Sequence, residues 1–313
     1  METRHIGSLA VSLVGLGCNN FASRIDASET QAVVDAAFEA GITLFDTADV
    51  YGGGGGSEEL LGRALGSRRD EVILATKFGA ELDAHRQGAH PAYVRAACEA
   101  SLRRLDVDHL DLYQLHRPDP EVPIAETLGA LDELVRAGMV REIGHSNVTA
   151  EQADEAEAAV REGTARFVCA QDHWNLLERD VEDGVLAAVE RHGLAVLPYF
   201  PLASGLLTGK YTSGDEQDPS WRLNTLPEER RAARMTKDRL ARARELEALA
   251  REAGHTLLEL AMSWLASRSP VASVIAGATR PEQVHANAAA AGWRIDTGTL
   301  AEVDRITGRS IEP

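Results

Sequence analysis

Apolar and polar positions alternate in blocks along almost the whole chain. Short apolar runs are followed by longer stretches whose apolar positions recur every three or four residues, the spacing of a helix with one buried face. The first run is Leu13–Gly17, and residues 28–40 follow as a helix, with Ser28 as N-cap and Gly41 past the end. Ile42–Phe45 is the next strand, then a helix from Ser57 to Leu65. Glu71–Thr76, His109–Leu115, Val140–Gly144, Phe167–Ala170, Leu194–Pro198 and Val271–Ile275 complete the set of strands. Helices are expected over Pro91–Leu105, Ile124–Arg136, 150–162, 180–192, 238–253, 256–267 and 281–290, with one more possible over 298–307. Gly138, Gly193 and Gly254 sit where helices should stop.

Eight apolar runs, each followed by a helical pattern, predict a closed (β/α)8 barrel spanning residues 1–313 as one domain. A doubly wound open sheet is the competitor. It would carry GxGxxG after the first strand, and Gly15-Leu16-Gly17-Cys18-Asn19-Asn20 lacks the third glycine. The polar stretch 208–237 holds Gly214, Asp215, Asp218, Pro219 and Pro227, which break any periodicity. It reads as a long loop inserted after the seventh strand.

Composition narrows the function. The chain has 313 residues and 44% hydrophobic positions, enough for a sizeable core. Its formal charge of −17 argues against a nucleic-acid or anionic-membrane surface. No stretch approaches the roughly 20 apolar residues of a membrane helix, and no signal peptide is visible, so a cytoplasmic protein is the expectation. Cys18, Cys98 and Cys169 are too few and too scattered for a disulfide framework or a zinc site. No metal is expected, and a monomer is the default.

In such a barrel, chemistry sits where strands end. The second strand runs into Asp46 and Tyr51, the third into Lys77 and the fourth into His116. Each alone has a bland reading: a capping aspartate, a packing tyrosine, a surface lysine, a loop histidine. Together, on three adjacent strand ends, they suit proton transfer to an oxygen. A lysine cation beside a phenol favours phenolate, a carboxylate fixes the lysine, and a neutral histidine can orient a carbonyl.

The ordered segments GLGCNNF, FDTADVYGGGGGSEELLGRAL, ATKFG, DLYQLHRPD, GHSNV, QDHWNLLER, PLASGLLTGKY and GATRPEQVHANAAA resemble the aldo-keto reductase family across essentially the whole chain. The resemblance implies a barrel binding NADPH and reducing a small-molecule carbonyl, with Asp46, Tyr51, Lys77 and His116 as the catalytic tetrad. It places Ser146, Asn147 and Gln171 at the nicotinamide carboxamide and Tyr199 against the ring. Ser204, Gly205, Leu206 and Lys210 match the pyrophosphate segment. Arg280, Gln283 and Asn287 match the adenosine end, and Gly17, Cys18, Asn19, Asp46, Phe200, Leu202, Gly277 and Thr279 complete the cofactor set. Where many relatives carry glutamate, this chain has Ala286. His145 stands where a small or apolar residue is frequent, and packing beneath the loop is its favoured reading.

A polyanionic cofactor on so acidic a protein requires local positive potential. Lys210, Arg280 and the helix start at Pro281 should therefore form a basic island. Substrate choice is expected from loops 19–24, 78–90 and 117–121 and from the segment around Trp221. Two rivals remain: a non-catalytic NADPH-binding redox sensor, and a Schiff-base lyase using Lys77.

Overall fold

The computed structural model describes residues 1–212 and 218–309, and the eight apolar runs become eight parallel strands of one sheet. A hairpin precedes them, β1 (Thr3–Ile6) and β2 (Leu9–Ser12). The sheet itself is β3 (Val14–Gly17), β4 (Leu44–Asp46), β5 (Ile73–Phe78), β6 (Leu110–Leu115), β7 (Val140–Ser146), β8 (Phe167–Gln171), β9 (Ala195–Val196) and β10 (Val274–Gly277). Strand β10 pairs with β3, and every other strand pairs with its neighbour in sequence. Parallel bridges Val196–Val271 and Tyr199–Ile275 join β9 to the β10 side and close the ring.

The helices are α1 (Ala27–Glu39), α2 (Tyr51–Gly54), α3 (Gly56–Leu65), α4 (Pro91–Leu105), α5 (Ile124–Arg136) and α6 (Ala150–Ala159). They continue as α7 (Val185–His192), α8 (Glu228–Arg234), α9 (Lys237–Glu252), α10 (Leu257–Ala266), α11 (Pro281–Ala289) and α12 (Thr297–Thr307). None of the described helices is long and apolar enough to cross a membrane.

Several boundaries differ from the sequence reading for local reasons. The cap of α1 is Asp26 rather than Ser28. Asp26 accepts from the Glu29 N–H, and the Glu29 carboxylate takes the Asp26 N–H in return. The expected helix 180–192 is a short turn at Asp180–Glu182 followed by α7, separated by Gly184 at φ 118°. The last strand lies three residues later than expected at its start, because Val271 meets only Val196. Within the stretch read as an uninterrupted loop, α8 forms. Gly214 and Asp215 lie outside the described residues.

The hairpin was not foreseen, and it plugs the amino-terminal mouth. Ile6, Leu9 and Val11 pack into one cluster with Leu44, Ala75, Leu112, Cys169 and Leu197 from the barrel interior. Burying each large side chain contributes about 2 kcal/mol. Arg4 locks the hairpin by donating to the carbonyls of Val271 (2.6 Å) and Ala266 (2.8 Å). With that end closed, the open end of the barrel is the one at the carboxyl ends of the strands.

Candidate functional site

Period-two alternation carries the polar side chains inward. On β4, Leu44 and Asp46 share the interior face while Phe45 joins the outer core. On β5 the interior face is Ile73, Ala75 and Lys77. Gln114 stands opposite Lys77 in register, and Gln171 stands opposite Ser146. The upper interior layer is thus polar where the layer below it is aliphatic.

In that layer Lys77 is fully buried and donates to Asp46 Oδ2 (2.6 Å) and to the carbonyl of Thr47 (2.9 Å). Asp46 Oδ1 accepts from Gln171 Nε2 (2.8 Å) and more weakly from Gln114 Nε2 (3.3 Å). The carboxylate is therefore saturated, and its charge-assisted bonds hold the ammonium in one place. Lys77 Nζ lies 5.3 Å from the centre of the Tyr51 ring. The Tyr51 and His116 rings stand edge to face, centres 5.8 Å apart.

Tyr51 is aimed by the glycine run behind it. Gly52 to Gly55 all have positive φ, from 69° to 103°. A Cβ on Gly52 would lie 2.6 Å from the Ser57 nitrogen and 3.0 Å from the Phe21 carbonyl oxygen. The chain can thus leave β4, present Tyr51 at the mouth and turn at once into α3.

The electrostatics follow from burial. Burial raises the Tyr51 phenol above its ordinary value; the Lys77 cation opposes this without cancelling it. The lysine thus acts in the expected direction, favouring phenolate, and burial is the larger effect. Burial lowers Lys77, but the Asp46 carboxylate and Tyr51 outweigh it, so the ammonium lies above its ordinary range. Burial, with the charges of Lys77 and Arg117, brings His116 down to about 3, so its ring is neutral. Cys18 stays a thiol, because burial and the Asp46 charge push it up. The arrangement can donate a proton from a phenol, hold a cation behind it and hydrogen-bond an oxygen from a neutral imidazole.

Above this layer opens a cleft of about 760 Å³. Of the catalytic and cofactor-contact residues singled out from the sequence, all line it except Lys77, which lies behind Tyr51, and Leu206, whose side chain is fully buried in the core; of the loops expected to choose the substrate, 78–90 contributes no lining residue and 117–121 only Arg117. Two buried polar atoms along this wall, Asn19 Oδ1 and His116 Nδ1, have no hydrogen-bond partner among the described residues. The basic island is present and larger than expected. Lys210 is lowered by burial and then by the nearby charges of Arg24 and Arg280. Arg222 is lowered by burial and by Arg24 and Arg234.

The cations Arg24, Arg222 and Arg234 were not foreseen as one group. They donate to neutral acceptors: the Ser220 carbonyl (3.0 Å), Asn20 Oδ1 (3.1 Å) and Ser204 Oγ (3.1 Å). Pro281 opens α11 directly after Arg280, so the positive end of that helix lies beside the same region. A dinucleotide with phosphates fits this lining. Trp221 lines the cleft and also stands edge to face on Tyr211, centres 5.1 Å apart. His145 packs outside the barrel wall against Phe167, 5.2 Å between centres, and burial holds it neutral at about 4.

Asp49, on the loop between Asp46 and Tyr51, is 1% exposed and accepts a long bond from Tyr93 Oη (3.4 Å). Burial and the Glu58 charge lift it to about 7. Its unfolded value is about 3.9, so the folded state binds the proton more tightly and stability falls as pH rises from about 4 through 7. Asp49→Asn is expected to raise the melting temperature at pH 8 by about 3–6 °C and leave it unchanged near pH 4. Thermal scans at the two pH values check this.

Comparison with known proteins agrees with the geometry. The family model described as the aldo/keto reductase family matches residues 13–307. An L-glyceraldehyde 3-phosphate reductase of Escherichia coli (strain K12) is 33% identical over 97% of this chain and 92% of its own length. A probable voltage-gated potassium channel subunit beta of Arabidopsis thaliana is 34% identical over 92% of this chain and 90% of its own. An aldo-keto reductase of Bacillus subtilis (strain 168) is 35% identical over 89% of this chain and 83% of its own.

Proposed function

The chain belongs to the aldo/keto reductase family, and from that premise we propose that it is an NADP(H)-dependent oxidoreductase that reduces aldehydes or ketones to alcohols, with Tyr51 as general acid. The observation that carries this reading is the fully buried Lys77–Asp46 pair behind Tyr51, with a neutral His116 beside it at the mouth of a basic cleft. Bound NADPH supplies the hydride for the carbonyl carbon.

The protein's part is position and charge. His116, neutral at physiological pH, donates to the carbonyl oxygen and fixes its direction. Tyr51 Oη then gives its proton to that oxygen as negative charge develops there. Lys77 stabilises the phenolate that remains, and Asp46 keeps the ammonium from turning away. Because burial keeps the phenol protonated, the acid is loaded at neutral pH. Ser146, Asn147 and Gln171 would hold the carboxamide, Tyr199 would pack on the ring, and Lys210 with Ser204 and Gly205 would meet the pyrophosphate.

Arg280, beside the start of α11, would pair with the 2′-phosphate that distinguishes NADP from NAD. Arg280→Ala is expected to weaken NADPH about 10–30-fold and NADH less than about threefold, read by fluorescence titration. Equal losses for the two cofactors would remove the phosphate assignment.

The Schiff-base alternative is disfavoured chemically. It needs an accessible neutral amine, and Lys77 is fully buried and held as a cation. The likeness to a potassium channel subunit beta favours one second reading, a cofactor-binding subunit with negligible turnover. A screen of NADPH oxidation across aldehydes, ketones and glyceraldehyde 3-phosphate separates the two. Turnover of at least one class is the expected result.

A further inference from the structure

Asn147 is the point at which several strand ends meet. Its Nδ2 donates to the carbonyl of His116 (3.1 Å) and to Ser146 Oγ (2.9 Å), and its Oδ1 accepts from Tyr199 Oη (2.7 Å). One amide thus ties the residues after β6, at the end of β7 and after β9. It does so from a left-handed backbone conformation, φ 58°, which a residue with a side chain adopts only at a cost. The N–H of Asn147 donates to the Gln171 carbonyl (3.3 Å) and to Asp172 Oδ1 (3.1 Å).

Asp172 is 6% exposed, follows directly on β8 and stands behind the cleft wall. Its other oxygen, Oδ2, is buried with no hydrogen-bond partner among the described residues. A carboxylate in this setting costs free energy that an apolar side chain would not. Burial accordingly lifts it to about 6, with the Asn147 N–H pulling the other way. What the carboxylate supplies in return is the nearer of the two acceptors for the Asn147 N–H, at 3.1 Å against 3.3 Å for the Gln171 carbonyl.

We infer that Asp172 is a positioning residue for the nicotinamide end of the bound cofactor, acting by fixing the Asn147 backbone and through it the Tyr199 ring and the segment after His116. The inference rests on the cofactor reading above. It implies an asymmetry: loss of the acceptor loosens contacts to the nicotinamide and leaves those to the phosphates and adenosine in place.

The test compares two ligands, NADPH and 2′-phospho-ADP-ribose, which lacks the nicotinamide. Asp172→Leu is expected to weaken NADPH about tenfold while binding 2′-phospho-ADP-ribose within about twofold of the parent. Asp172→Asn keeps an acceptor oxygen and is expected to restore NADPH to within about threefold. If the leucine variant does not fold, Asp172→Ala carries the same comparison. Equal loss of both ligands would mean a general structural role and overturn the inference, as would no loss of either. A parent protein that binds neither ligand would overturn the cofactor reading and this inference with it.

Discussion

Tyr51→Phe is expected to lower kcat/KM for carbonyl reduction about 10³-fold while leaving NADPH affinity within about threefold. The substitution removes one oxygen and keeps the ring that stands edge to face on His116. Burial holds the phenol protonated in the free protein, so the group lost is a loaded acid rather than a base. Lys77 remains as a cation behind the gap, and a residual rate from positioning and charge survives. Steady-state rates on an aldehyde, with NADPH titrated on the same samples, check both halves. Retained activity would remove the acid assignment.

Lys77→Met should do more, because it damages stability as well as chemistry. Asp46 would keep its Gln171 and Gln114 bonds but lose the 2.6 Å ammonium contact in a site 3% exposed. Breaking a buried pair from one side costs about 3–5 kcal/mol. The melting temperature is expected to fall by about 6–15 °C. Activity should fall at least as far as in Tyr51→Phe, because the phenol keeps the burial that raises it and loses the charge that opposes it. The double variant Asp46→Asn/Lys77→Met separates the two effects. It should recover much of the lost stability and none of the activity, since it removes the uncompensated charge without restoring the cation. A double variant as unstable as the single one would contradict the charge argument. Thermal denaturation and rate measurements on the three proteins decide it.

Much of the frame was legible because local rules and the fold agree. Helices α4 and α5 end where the sequence places them, since Pro91 opens one and Gly138 follows the other. Asp46, Lys77 and His116 could be put on one rim because parallel strands with helical crossovers bring every carboxyl end to the same side. Other features depend on closure and could not be read locally. Asp46 meets Gln171 across 125 residues of sequence, a contact that exists only once the ring is closed. Arg24, Arg222 and Arg280 sit in three loops with no shared motif, and only the turn of the 218–226 segment over the cleft assembles them. The β1–β2 hairpin was missed because Ile6 and Leu9 flank a two-residue turn and form no apolar run. The lysine's pull on Tyr51 was legible, but the larger opposing effect of burial was not, because burial is a property of the folded mouth.

The central claim is that the cleft binds NADPH and the tetrad spends it on a carbonyl. The most direct test is a single-turnover experiment in which protein saturated with NADPH, the binding confirmed by titration on the same sample, is mixed with an excess of 4-nitrobenzaldehyde and followed at 340 nm. The account predicts loss of the reduced-cofactor absorbance with one equivalent of alcohol formed per equivalent of NADPH, and a rate about 10³-fold lower in Tyr51→Phe. Tight NADPH binding with no oxidation, here and across ketones and glyceraldehyde 3-phosphate, would contradict it and leave a cofactor-binding subunit in its place.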